Sequence, residues 1–207
     1  MTVLEQVNSG SIRVVLASKS PRRQELLQRV IPNFEVCNIE CDEVYPKALA
    51  GGDIAMYLSQ LKSRAVAELE SSILLITADT IVWMDGRIYE KPNSVREAQR
   101  MLGELSGNGH HVYTGVTLRL GSVSHSFVSG TFVKFEDFSS VSIVEYVAKY
   151  NPLDKAGAYG IQDCLQADGK QIWPLAMSIE EGSYWNVVGL PIEDLKRELA
   201  AFQEFNS

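Results

Sequence analysis

The stretch LASKSPRRQELLQRV, residues 16–30, decides how the rest of the chain is read. With Val14 and Val15 ahead of it, VVLAS is an apolar run of strand character. Ser20 is a helix-capping residue type, Pro21 suits a first helical position, and Leu26, Leu27 and Val30 recur at helical spacing. The grammar is strand, tight turn, helix. Arg22 and Arg23 then fall in the first helical turn, where unpaired amides and the macrodipole already make the field positive. Two cations there are unfavourable by something under about 1 kcal/mol, too little to decide between a solvated helix face and a site for an anion.

Outward from this turn, strand and helix signals alternate. FEVCNI (34–39) reads as a second strand, followed by a loop containing CDEVYP. A helical segment is expected over 52–70, with Leu58, Leu61, Ala65 and Leu69 on one face. SILLITAD (72–79) is a continuous apolar run, as in a strand buried on both faces. IVWMDGRIYE signals a hairpin turning at Asp85-Gly86, and SVREAQRMLGELSG a helix capped by Ser94 and stopped at Gly107. Strands are expected over about 110–120 and 126–135, then a helix in SSVSIVEYVAKY and a last helix introduced by Pro191. There are no repeats, low-complexity segments or linkers. The fold class is α/β, with a mixed central sheet flanked by helices because hairpins interrupt the alternation, and residues 1–207 read as a single domain.

Composition narrows the function classes. A formal net charge of −7 implies no diffuse basic surface and argues against nucleic acid as a partner. No apolar run approaches the roughly 20 residues that span a bilayer, and MTVLEQVNSGSIRVV lacks the layout of a signal peptide. The expectation is a cytoplasmic protein without a membrane partner. Cys37, Cys41 and Cys164 have no paired spacing and read as reduced thiols, and His110, His111 and His125 supply no zinc-finger ligand pair.

In open α/β sheets, ligands bind beyond the carboxyl ends of strands. Ser18 follows VVLA and Asp79-Thr80 follows LLITA, so both are placed at such ends. Position alone leaves Asp79 equally a turn residue. By spacing alone, Lys62 is a polar-face lysine.

Five motifs, LASKSPRRQELL, ADTIVWMDGRIYEKP, LSGNGHHVYTGV, DKAGAYGIQ and GSYWNVVGLP, stand in the order and approximate spacing of the Maf family. The chain resembles that family from about residue 13 to 200. The resemblance implies an inosine triphosphate pyrophosphatase-like fold and an enzyme that hydrolyses a nucleoside triphosphate between its α and β phosphates, using a divalent cation such as Mg²⁺ or Mn²⁺. Family members are often dimeric, so a homodimer is among the implied partners.

The resemblance assigns roles residue by residue. Ser18, Arg22, Arg23, Lys62 and Lys91 match the phosphate-binding positions. Glu43 and Asp79 match the acidic positions that suit a metal with hard oxygen ligands, and Asp79 is usually the acceptor of the water proton. Arg22, Thr80 and Gln162 match the specificity set of the branch that cleaves dTTP and UTP. The sister branch, which prefers 7-methyl-GTP, carries other residues there. A glutamine amide sets an acceptor beside a donor, matching N3–H and O4 of uracil or thymine, provided its neighbours hold it in one orientation. A nucleotide-binding regulator of cell division with little turnover is a third reading.

Two departures stand out. Asn108 occupies a position where the family usually has a basic residue. DCLQADGKQIWPLAMSIEE, after Gln162, is longer than expected of relatives; DG within it favours a lengthened surface hairpin over a reshaped base pocket.

Overall fold

The computed structural model describes residues 2–202. Seven strands pair in the order β2-β1-β3-β5-β6-β7, with β4 added to β3. They are β1 (Arg13–Ala17), β2 (Glu35–Cys37), β3 (Ile73–Met84), β4 (Arg87–Tyr89), β5 (Gly109–Leu120), β6 (Val123–Phe135) and β7 (Met177–Glu181). β1 runs parallel to β2 and β3, whereas β3/β4 and β6/β7 are antiparallel, so the sheet is mixed as expected. The described residues form two compact units, 2–79, 114–129 and 189–202 in one, 80–113 and 130–188 in the other. Strands β3, β5 and β6 each give part of their length to both.

In the first unit, helices α1 (Val3–Ser9), α2 (Pro21–Gln28), α3 (Gly52–Arg64) and α7 (Ile192–Ala201) accompany the strands. The opening turn folds as its residues dictate. The Ser20 hydroxyl accepts from the Arg23 amide, Pro21 takes the first helical position, and Leu26 and Leu27 are buried. Helix α1 escaped the sequence reading, although Thr2 and Glu5 form a reciprocal capping box.

Helix α3 ends at Arg64 instead of reaching residue 70, and it buries Ile54, Ala55, Leu58, Ser59 and Ser63, so of the expected face only Leu58 is buried in it. Two long-range features explain this. Gly115 of β5 lies against the backbone of Ala55, where a Cβ would clash, so the helix seats directly on the strand. Beyond its end, Arg119 donates to the carbonyls of Ser63 and Val66 at 2.7 Å each, taking acceptors a longer helix would have used.

The second unit contains α4 (Val95–Leu105), α5 (Ser140–Tyr150), α6 (Tyr184–Val188) and three short 3₁₀ turns between Pro152 and Asp163. Asp85 and Gly86, at φ 51° and 76°, make the β3–β4 turn in the left-handed conformation that an Asp-Gly hairpin uses. Ser94 caps α4 by accepting from Glu97 N. Asn108 closes the other end, its amide donating to the carbonyls of Glu104 and Ser106 at 3.1 and 3.0 Å. A small amide able to reach those carbonyls is what this position uses. The segment after Gln162 does form a hairpin: Leu165 bridges Gln171, Gln166 N donates to Lys170 O, and Gly169 sits at φ 88°. No described helix is long and apolar enough to cross a membrane.

Candidate active site

Strand β3 does not stop at Asp79; it continues five residues further, to Met84. Asp79 is therefore a mid-strand carboxylate, correcting its expected place at a strand tip. The parallel register explains why the position is still open to chemistry. Leu16 pairs with Ile76 and β1 ends at Ala17, so Asp79 lies beyond the carboxyl end of its parallel neighbour, one step past Ser18 in the register. A charged side chain 7% exposed on a strand is costly unless it is paired.

The partner is Lys62. Its ammonium donates to Asp79 Oδ1 and also pairs with Glu43 Oε1 at 3.1 Å. The Lys62 and Asp79 side chains are largely buried, while that of Glu43 is about half exposed. Lys62 is no solvated polar-face lysine. It stands in the last turn of α3, where the helix dipole favours a cation, and the helix beneath it is pinned. Ser59 Oγ meets Thr117 Oγ1 at 2.8 Å, Thr77 Oγ1 donates to Ser59 O at 2.7 Å, and Arg119 holds the carbonyls just past Lys62. The lysine thus projects from a fixed backbone.

Of the paired arginines, Arg23 joins this cluster through its field. Arg23 is half-buried, and its Nε donates to the carbonyl of Gly189 at 2.9 Å. Burial lowers its pKa from the ordinary guanidinium value; Asp79 opposes that shift, Arg22 adds to it and Glu43 opposes it again. Neither arginine is the fully solvated residue that a plain helix face would carry. Ser18 is 8% exposed, and its hydroxyl accepts from Ser20 N at 3.2 Å, which tightens the turn leading into α2. Cys41 also lies in the field of Lys62, Glu43 and Asp79, with burial as the main cause of its raised thiol pKa.

The first unit therefore gathers Ser18, Arg22, Arg23, Glu43, Lys62 and Asp79. Thr80, Lys91 and Gln162 belong to the second unit. Thr80 is half-buried on β3, Lys91 is exposed just after β4, and Gln162 is exposed in the 3₁₀ turn Ile161–Asp163. The sequence reading overlooked Arg119, although an arginine inside the apolar run VTLRL was a usable signal.

As a metal site, the cluster offers two carboxylates converging on one cationic atom. Among the described residues no group of three His, Cys, Asp or Glu side chains could hold a metal ion. Two hard oxygens fit Mg²⁺, which keeps several waters and takes further ligands from substrate phosphates, and would not make an all-protein cage.

The same arrangement of cations and carboxylates can receive a polyanion and activate a water beside it. Relatives bear on what that polyanion is. The chain is 42% identical over 194 residues to a dTTP/UTP pyrophosphatase of Bacteroides thetaiotaomicron, covering 93% of this chain and 97% of that protein. It is 39% identical over 203 residues to one of Porphyromonas gingivalis, covering 96% and 98%, and 42% identical over 190 residues to one of Bacillus thuringiensis, covering 92% and 95%. The profile of Maf-like proteins matches residues 13–202, nearly all of the sequence, and the chain belongs to the Maf family.

Proposed function

We propose that this protein hydrolyses nucleoside triphosphates, dTTP and UTP above others, between the α and β phosphates, yielding the monophosphate and pyrophosphate. One observation carries the reading: Glu43 and Asp79 meet on Lys62, with Arg23 in the field of both carboxylates. A triphosphate carries about four negative charges and needs concentrated cations, while an activated water needs a carboxylate. The relatives named for dTTP and UTP supply the base preference, and Arg22, Thr80 and Gln162 agree with it.

The roles follow from the side chains. Arg22 and Arg23 bind phosphate oxygens with forked donors, supported by Ser18, Lys62 and Lys91. Asp79 accepts the proton of the attacking water. As the water oxygen bonds to the α-phosphorus, the bond from that phosphorus to the bridging oxygen breaks, and the electron pair leaves with pyrophosphate. Lys62, released from the two carboxylates towards phosphate, stabilises the charge that develops there. Glu43 and Asp79 would hold a divalent cation, Mg²⁺ or Mn²⁺, which supplies screening of phosphate charge and orientation of the water. Gln162 reads the N3–H and O4 edge of the pyrimidine. Residues 1–207 act as one functional domain in the cytoplasm, where nucleotide pools are, with a homodimer as in many family members.

The residues at 22, 80 and 162 disfavour a 7-methyl-GTP enzyme, and a water-activating carboxylate disfavours a regulator that only binds. The test is pyrophosphate release over a panel of nucleoside triphosphates, including 7-methyl-GTP, with and without Mg²⁺ or Mn²⁺. Metal-dependent release from dTTP and UTP above all others is expected. Preference for 7-methyl-GTP, or no release from any nucleotide, overturns the reading.

A further inference from the structure

Gln162 can discriminate uracil from cytosine only if it approaches the base in one orientation, because the two bases present reversed donor and acceptor patterns. The turn that carries it is short. Asp163 N donates to Gly160 O, Cys164 N to Ile161 O and Leu165 N to Ile161 O, all within a few residues. Such local bonds close the turn but leave its tilt against the neighbouring helix unset. One side chain ties both flanks of Gln162 to that helix.

Tyr146, on α5, has no exposed surface. Its hydroxyl accepts from Gly160 N at 2.9 Å and donates to Asp163 Oδ2 at 3.1 Å. The two bonds fall on either flank of Gln162. A turn held at both flanks by one oxygen cannot roll about its own axis without breaking a bond. Gly160 is part of the device, since a Cβ there would lie 2.8 Å from Asp163 Oδ2 and 3.0 Å from Lys155 Cε. Burial, with the nearby Cys164 and Asp163, holds the Tyr146 pKa well above the ordinary phenol value, so the hydroxyl keeps its donor proton.

We infer that Tyr146 is a positioning residue for base selection, fixing through Gly160 and Asp163 the orientation in which Gln162 meets a pyrimidine. The inference rests on Gln162 reading the base. It names a residue that touches no substrate and sits sixteen places from the one it orients, on a different element.

The experiment compares kcat/KM for UTP and CTP in the full-length protein and in Tyr146→Phe, which keeps the ring and removes the hydroxyl. UTP efficiency is expected to fall roughly tenfold, chiefly through KM, with CTP nearly unchanged, so that the UTP/CTP ratio collapses. Asp163→Asn, which still offers an acceptor oxygen, should keep most of the ratio, and Asp163→Ala should lose much of it. The Asp163 pair decides the matter should Tyr146→Phe not fold. Equal falls for UTP and CTP in Tyr146→Phe, or equal ratios in the two Asp163 variants, would show a purely structural role and overturn the inference. Gln162→Leu separates this from failure of the underlying reading. If it lowers UTP while Tyr146→Phe leaves the ratio intact, only the inference falls. If Gln162→Leu leaves the ratio unchanged, both fall.

Discussion

The two units handle polar groups in opposite ways. In the first, ionisable groups are brought together: Lys62 between Glu43 and Asp79, with Arg23 in the field of both carboxylates. In the second, two deeply buried polar groups are uncharged ones. The Tyr146 hydroxyl is tied to Gly160 and Asp163, and His110, 1% exposed, meets the Tyr159 hydroxyl at 2.7 Å. The contrast matches the tasks proposed for them. A polyanion is held by charge, which is strong and tolerant of geometry, whereas a base edge is read by neutral hydrogen bonds that demand fixed orientation.

The sharpest way to break the comparison is to neutralise one charge of the first unit. Asp79→Asn keeps the side-chain shape and removes its basicity, so turnover should fall by roughly 10² or more while triphosphate binding persists. Lys62 retains Glu43 but loses its buried partner, so melting curves belong beside the rate measurements. Near-normal turnover in folded Asp79→Asn would remove Asp79 from the proton-accepting role.

The neutral hydrogen bonds predict a smaller effect, of specificity rather than rate. UTP and dTTP should exceed CTP in kcat/KM by roughly ten- to a hundredfold, because cytosine leaves buried groups facing their own kind at a cost of about 1–3 kcal/mol. Comparable values for CTP and UTP would mean that the second unit does not select the base through Gln162.

How much of this was legible in the sequence depended on distance along the chain. The β1–α2 turn, the Asp85-Gly86 hairpin and the Ser94 cap were legible because Ser20, Pro21, Gly86 and Ser94 act within a few residues. So was the Asp168-Gly169 hairpin after Gln162. The end of β3 was misread because a carboxylate in an apolar run looks like an exit from the sheet. Lys62, seventeen positions away, makes it tolerable inside. The end of α3 depended on Arg119, over fifty positions on, and the turn carrying Gln162 is bonded at both flanks to Tyr146 on another element. Residue types marked the site; the partners that fix it came from other strands and helices.

Buried His110 of the second unit has its own signature in pH. Burial, with a smaller contribution from His111, depresses the His110 pKa from 6.5 to about 3. Between those values the unfolded chain holds a proton that the folded chain refuses. Stability from this group is therefore full above pH 6.5 and is lost progressively as pH falls towards 3, by up to about 1.4 kcal/mol per pH unit. Denaturant unfolding at pH 7 and pH 5 should show this fall, and His110→Gln should flatten it by close to one proton. An unchanged slope in that variant would mean His110 is protonated in the folded protein.

The smallest effect distinguishes binding from folding at Arg23. Its Nε bond to the Gly189 carbonyl stabilises the fold, and a hydrogen bond to a charged group is worth about 1.5–3 kcal/mol. Attraction to Asp79 and Glu43 adds to it; against them stand the desolvation that lowers the guanidinium pKa, repulsion from Arg22 and an adverse helix dipole. These terms largely cancel without nucleotide, so Arg23→Ala should lower apo stability by about 1 kcal/mol or less, a melting shift of about 2–4 °C at most. A bound phosphate adds a charge-assisted contact with no such offset, since the desolvation is already present in the free protein. Triphosphate affinity should therefore fall about tenfold or more, a loss the apo melt does not foretell. Arg23→Lys keeps the charge but not the fork, and should recover only part of that affinity. A large drop in apo melting temperature with unaltered nucleotide binding would instead make Arg23 a brace for the Gly189 backbone, and would leave Arg22 as the phosphate ligand of the pair.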